Sequence, residues 1–207
     1  NTTSYLKSTA GVNVNLSLTT AQSGGYAEGD ILLDIQNVTG SAFNDTLTGN
    51  SLANIINGGD GNDTIIGGAG ADTINGGVGI DTASYSSSAA AVTINMLTSA
   101  NTGGDAQGDV LSNIENLIGS AFADTLTGNA SDNTLVGGAG ADIINGGAGI
   151  DTISYLTSVG AVNVDLALTT AQSWNDATGD LLSNIENLTG SSFSDTLYGN
   201  IIANIIN

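Results

Sequence analysis

"GGDGNDTIIGGAGADTINGGVGIDTAS", residues 58–84, states one nine-residue phrase three times and sets an aspartate at the sixth place of each, Asp63, Asp72 and Asp81. Counting outward in nines, the phase runs back without a slip to Gly40 through GSAFNDTLT and GNSLANIIN. It returns from Gly119 as GSAFADTLT, GNASDNTLV, GGAGADIIN and GGAGIDTIS, and from Gly190 as GSSFSDTLY and GNIIANIIN. The sixth place therefore holds Asp45, Asn54, Asp63, Asp72 and Asp81, then Asp124, Asn133, Asp142 and Asp151, then Asp195 and Asn204. The eighth place is always apolar, from Leu47 and Ile56 to Leu197 and Ile206.

Segments of about 35 residues separate the blocks, and they repeat too. "SYLKSTAGVNVNLSLTTAQS" and "SYLTSVGAVNVDLALTTAQS" are near copies, marked like the middle segment by an opening tyrosine, Tyr5, Tyr85 or Tyr155. Alternation in VNVNLSL predicts a strand with Val12, Val14, Leu16 and Leu18 on one face. Each segment ends in phase with the nonapeptides, placing Gln36, Glu115 and Glu186 at the sixth place. The division is residues 1–39, strand-rich; 40–84, first repeat block; 85–118, strand-rich; 119–154, second block; 155–189, strand-rich; and 190–207, the start of a third block.

A nine-residue unit cannot bury its apolar side alone, so the units must stack into one continuous solenoid. The first six residues, rich in Gly and Asn, make a turn; the last three make a short strand with its middle residue inward. Two units form a coil of 18 residues. Residues 18 apart then lie one above another, giving columns Asp45–Asp63–Asp81, Gln36–Asn54–Asp72, Asp124–Asp142 and Glu115–Asn133–Asp151. The fold class is all-β, a parallel β-roll.

Columns of carboxylates need positive charge, and the chain has almost none: 20 acidic residues face one basic residue, with no histidine and a net charge of −19. Strands stack about 4.8 Å apart, where unscreened carboxylates repel. Without Cys or His the ligand set is all oxygen, which disfavours zinc and suits calcium. Such a charge excludes ordinary nucleic-acid binding and disfavours an anionic lipid surface. No apolar run is long enough to span a membrane. Lacking His, Cys and Arg, and with identical acids in columns rather than two in different environments, the chain is expected not to be an enzyme.

The phrase G-G-x-G-x-D-x-U-x, with U apolar, resembles the repeats-in-toxin family of secreted bacterial proteins, whose repeats are also called hemolysin-type. The match is strongest over 58–84 and 137–154. The resemblance implies a right-handed β-roll with several calcium ions between successive turns, export unfolded by type I secretion, and folding outside the cell. Carried over, the metal-binding residues are Asp45, Gly58, Gly59, Asp60, Gly61, Asp63, Gly68, Gly70, Asp72, Gly77, Gly79, Asp81, Asp124, Gly138, Gly140, Asp142, Gly147, Gly149, Asp151 and Asp195. Asn54, Asn133 and Asn204 depart from the pattern, and an amide ladder is expected there. Asp30, Asp109 and Asp180, each after a glycine, read equally as an extra calcium site or a turn.

Phe43, Phe122 and Phe193, at the fourth place of the first unit in each block, are expected to plug the core. Trp174 is expected to pack, and the three segment tyrosines to be structural. The expected function is a calcium-stiffened stretch of a secreted or cell-surface bacterial protein, such as an adhesin stalk, surface layer or extracellular fibre. Its partners would be calcium, further copies end to end, and polysaccharide or cell surface. The alternative is a carrier module of an extracellular protease, lipase or alginate-modifying enzyme.

Overall fold

In the computed structural model, which describes residues 1–98 and 100–207, the chain is a parallel β-roll whose nonapeptide strands start at place seven and are three residues long, except that Ile55–Asp60 and Thr73–Val78 run on into the next unit. Thr46–Thr48 pairs in parallel with Thr64–Ile66, and Leu47 stands over Ile65. The eighth-place side chains form the core: Leu47, Ile56, Ile65, Ala83, Leu126, Leu135, Ile144 and Ile153 are completely buried. The residues on either side of each inward one, mostly threonine, asparagine or serine but also Ile55, Ile66, Val136 and Ile143, face outward because side chains switch faces along a strand.

The walls of the roll are not two continuous sheets. A first wall holds Thr2–Ser4, Asn37–Thr39, Ile55–Asp60, Thr73–Val78 and Val110–Ser112. A second wall runs from Asn13–Asn15 through 46–48, 64–66, 82–84, 116–118, 134–136 and 152–154 to Asn187–Thr189. The third wall comprises Thr93–Asn95, Thr125–Thr127, Ile143–Asn145 and Leu181–Ser183, and a fourth begins with Asn163–Asp165 and Thr196–Tyr198.

Each of the segments after Tyr85 and Tyr155 starts one wall and ends another. After Tyr85 the chain opens the third wall at Thr93–Asn95, makes an excursion, and closes the first wall at Val110–Ser112. That coil contains three strands rather than two. The excursion folds back on the strand that opens the new wall: Asn13 exchanges both backbone hydrogen bonds with Ser23, Thr93 with Thr102, and Asn163 with Ser173. A free strand edge is thereby covered.

Three expectations change. Strand Asn13–Asn15 is short; Val12, Val14 and Leu16 are buried, but the chain turns after them and leaves Leu18 exposed. Phe43, Phe122 and Phe193 are not core plugs: each is about half exposed, at 45%, 45% and 53%, because the fourth place lies on the outside of the turn rather than in the strand. Trp174 is also half exposed, on a left-handed residue (φ 71°) that leads into a short 3-10 turn. Tyr5, Tyr85 and Tyr155 are buried, as a structural role requires.

Candidate metal-binding turns

The sixth-place carboxylates point into the roll at its edges, and their oxygens have different fates. One oxygen accepts the backbone N–H of the sixth residue one coil earlier: Asp45 N–H donates to Asp63 Oδ1 and Asp63 N–H to Asp81 Oδ1, both at 2.8 Å. In the same way Asn54 N–H donates to Asp72, Asp124 N–H to Asp142 and Asn133 N–H to Asp151. These bonds satisfy turn amides that sheet pairing does not reach.

The columns extend beyond the 18-residue spacing. Asp81 N–H donates to Glu115 Oε2 at 2.9 Å and Asp151 N–H to Glu186 Oε2 at 2.8 Å, so one column continues through both segments. Asp72 N–H donates to Asp109 Oδ1, and Asp142 N–H to Asp180 Oδ1. There the column stops, with the other oxygen taken by the hydroxyl of Tyr85 or Tyr155 at 2.9 and 2.8 Å. Tyr5 donates likewise to Asp30. Asp109 and Asp180 are thus column ends closed by a tyrosine, a role hidden in sequence because the partners lie 24 or 25 residues apart, while Asp30 shares the tyrosine bond alone.

The second oxygen divides the aspartates into two groups. In the G-S-x-F units it is occupied: Ser41 N–H and Ser120 N–H reach Asp45 Oδ2 and Asp124 Oδ2 at 2.5 Å, and Ser191 N–H reaches Asp195 Oδ2 at 2.7 Å. The serine hydroxyls bind the same carboxylates. In the G-G-x-G-x-D units, Oδ2 of Asp63, Asp72, Asp81, Asp142 and Asp151 is buried with no hydrogen-bond partner. At Asn54 and Asn133 the side-chain nitrogen donates instead to the backbone oxygens of Gln36 and Glu115. An amide thus does without a cation, bonding across to the backbone of the neighbouring coil and, within its own turn, to the side-chain oxygen of Asn50 or Asn129.

Two glycines show why the unsatisfied turns are so open. Gly77 and Gly79 have φ of 116° and 152°, and a Cβ on either would collide with the carbonyl oxygen of Gly59 or Gly61 one coil below. Positive φ recurs at Gly59, Gly61, Gly68, Gly70, Gly138, Gly140, Gly147 and Gly149. Gly58 keeps φ outside that region, with Asp63 Oδ2 and Gly76 O crowding its bare face. The side chain of Asp60 lies on the exposed outside of its turn.

Electrostatics separates the same groups. Burial, first, pushes the Asp63 carboxyl up to about 7, with repulsion from Asp45, Asp81 and Asp60 adding to it. Burial likewise raises Asp72 and Asp142 to about 7, and shifts Asp81 and Asp151 upward. At Asp195 the burial effect is outweighed by the Ser191 hydroxyl and the N–H groups of Val162 and Ser191, and the carboxyl falls below its usual range. A buried carboxylate oxygen without a donor is costly. A divalent cation taking oxygen ligands would remove that cost, and the donor set fits it: carboxylate oxygens with glycine carbonyls. Among the described residues no three acidic side chains converge on one metal position, so such an ion would take most of its ligands from backbone.

The family model described as RTX calcium-binding nonapeptide repeat (4 copies) matches residues 35–51, 48–83 and 118–153. All five unsatisfied aspartates lie within those matches. No curated protein matches the chain in sequence.

Proposed function

Because the first two nonapeptide blocks of this chain match the RTX calcium-binding nonapeptide repeat model, we propose that it is a calcium-stiffened structural segment of a secreted bacterial surface protein, a stalk, surface layer or fibre, and that it has no catalytic role. The observation that carries this reading is the set of five buried Oδ2 atoms without a donor. Asp63, Asp72, Asp81, Asp142 and Asp151 would hold the ions together with carbonyls of their glycine turns. Calcium supplies the positive charge the sequence lacks. With sub-micromolar calcium inside a cell the chain stays an unpaired polyanion; outside, ion binding and folding become one event. Support for a structural role comes from the modular walls, which lengthen the roll by adding units, and from the identical roles of the acids. No helix among the described residues is long and apolar enough to cross a membrane.

The test is far-ultraviolet circular dichroism during calcium titration, with magnesium as control. The expected outcome is a conversion from coil to β on calcium that magnesium does not reproduce. A chain that keeps full β content in chelator would overturn the reading.

A further inference from the structure

Inside a block, six residues make the turn between two strands. The corners that bring a segment back into the roll use three. Asn75 and Thr82 enclose residues 76–81, whereas their partners in the next coil, Ser112 and Asn116, enclose only Asn113, Ile114 and Glu115. In the same way Asn145 and Thr152 enclose 146–151, and their partners Ser183 and Asn187 enclose Asn184, Ile185 and Glu186. A left-handed residue makes each short corner, Asn113 at φ 50° and Asn184 at φ 51°; Asp34, at φ 57°, makes a third, two residues before Gln36. All three dock alike on the preceding coil: Asp81 O accepts the N–H groups of Glu115 and Asn116, Asp151 O those of Glu186 and Asn187, and Asn1 O those of Gln36 and Asn37.

The side chains change in step across these contacts. Asp81 meets Glu115, Asp151 meets Glu186 and Asn1 meets Gln36, so acid stands with acid and amide with amide. Two of the three glutamates in the chain are here, where a side chain longer than aspartate spans the shortened corner and takes the N–H of Asp81 or Asp151 at 2.9 and 2.8 Å. The amide corner shows what belongs between the two coils: Asn1 Nδ2 donates to the carbonyl oxygen of Asp34 at 3.0 Å. At the acid corners the equivalent carbonyl, from Asn113 or Asn184, crowds the bare face of Gly76 or Gly146 together with Asp81 Oδ2 or Asp151 Oδ2. Both aspartate oxygens are buried and have no donor. Oxygen therefore faces oxygen where the amide corner places an N–H, and this arrangement is costly without a positive group between them.

We propose that Glu115 with Asp81, and Glu186 with Asp151, form calcium sites at the two short corners, completed by the carbonyl oxygens of Asn113 and Asn184. Both glutamates lie outside the stretches that match the calcium repeat. The N–H accepted by Glu115 or Glu186 does not withdraw the carboxylate, since its oxygens keep further lone pairs for an ion. Two carboxylates and a backbone oxygen are a hard, all-oxygen set of the kind calcium takes, and the dication turns the repulsion between the two acids into attraction. Each site joins residues 34 or 35 apart, on either side of an excursion. Calcium there fastens a segment to the block before it and carries the roll from one block to the next.

The inference rests on the calcium-repeat reading, and the test separates them. Glutamine keeps the acceptor that the Asp81 or Asp151 N–H uses and removes only the charge. Calorimetric titration of the full chain with calcium should give one ion fewer at saturation for Glu115→Gln or Glu186→Gln and two fewer for the double variant. Glu28→Gln, at the exposed third glutamate, should lose none. A double variant that binds as many ions as the wild type, with unchanged affinity, overturns the proposal but leaves the calcium-repeat reading standing, provided calcium still induces β structure. A wild-type chain that binds no calcium overturns both. Should Glu115→Gln fail to fold in calcium, Asp81→Asn with Glu115→Gln remakes the corner in the amide form of Asn1 and Gln36; it is expected to fold and to bind fewer ions than the wild type. Failure of that variant to fold, or an undiminished ion count, counts against the proposal.

Discussion

Ser41 and Gly59 hold the same place in successive coils, and the difference between them decides what the neighbouring aspartate requires. Ser41 gives Asp45 an N–H and a hydroxyl; Gly59, at φ 121°, gives Asp63 neither. The G-S-x-F unit is therefore a turn that supplies its own donors, placed where a wall starts. There, the N–H accepted by the carboxylate comes from Val12, Val92 or Val162 rather than from an earlier sixth-place residue. A pH dependence belongs to this scale. Asp63, Asp72 and Asp142 are pushed up to about 7 in the metal-free fold, so ionising them opposes folding. The metal-free roll has this contribution intact below the unfolded carboxylate range near 4 and loses it as pH rises through about 7. In chelator, β content followed by circular dichroism should increase as pH falls from about 8 towards 5. Calcium affinity should decline over the same window, because protons compete for the same oxygens.

At the scale of the turn and strand, nine-residue phasing was enough to place the strands inside the first two repeat blocks, since a strand needs only an inward apolar residue at a fixed spacing; in the third block the last unit, 199–207, makes only an isolated bridge at Ile206. Stacking at that repeat leaves no room between Gly77 and Gly59 for a side chain. Gly77→Ala combines a left-handed φ with a clash against a backbone oxygen and should destabilise the calcium-loaded roll by about 2 kcal/mol or more. Urea unfolding in saturating calcium measures this, and an unchanged midpoint would contradict the close stacking. The segment strands were harder to foresee. VNVNLSL alternates as a long strand does, but the chain turns after Leu16 because Gln22, buried and 7 residues away from Asn15, takes the Asn15 N–H and donates to its carbonyl. A lone glutamine in a polar stretch carries no sign of this.

Across the whole molecule, the number of nonapeptide strands between segments decides which side each excursion occupies. Six strands run from Asn37–Thr39 to Thr82–Ser84, and the wall that passes through uninterrupted changes from the first to the second. Five run from Asn116–Ile118 to Thr152–Ser154, and the second wall passes through again. An even count places successive excursions on opposite sides of the roll, an odd count on the same side. Deleting residues 67–75, one nonapeptide, should therefore bring the excursions near Tyr26 and Gln107 to one side, whereas deleting 58–75, a full coil, should keep them opposed. Spin labels at Tyr26→Cys and Gln107→Cys, in a chain with no other cysteine, would read the change as a distance. Equal distances in both deletions would refute the rule. The sequence by itself determined the coil, the inward residue and the acidic columns within each block, because all of these follow from a fixed spacing along the chain. Only the tertiary structure decided where columns join, where they end on a tyrosine, and which aspartates lack a donor. Those depend on pairings such as Asp72 with Asp109, 37 residues apart, and a periodic pattern has no means of recording a contact made once per segment.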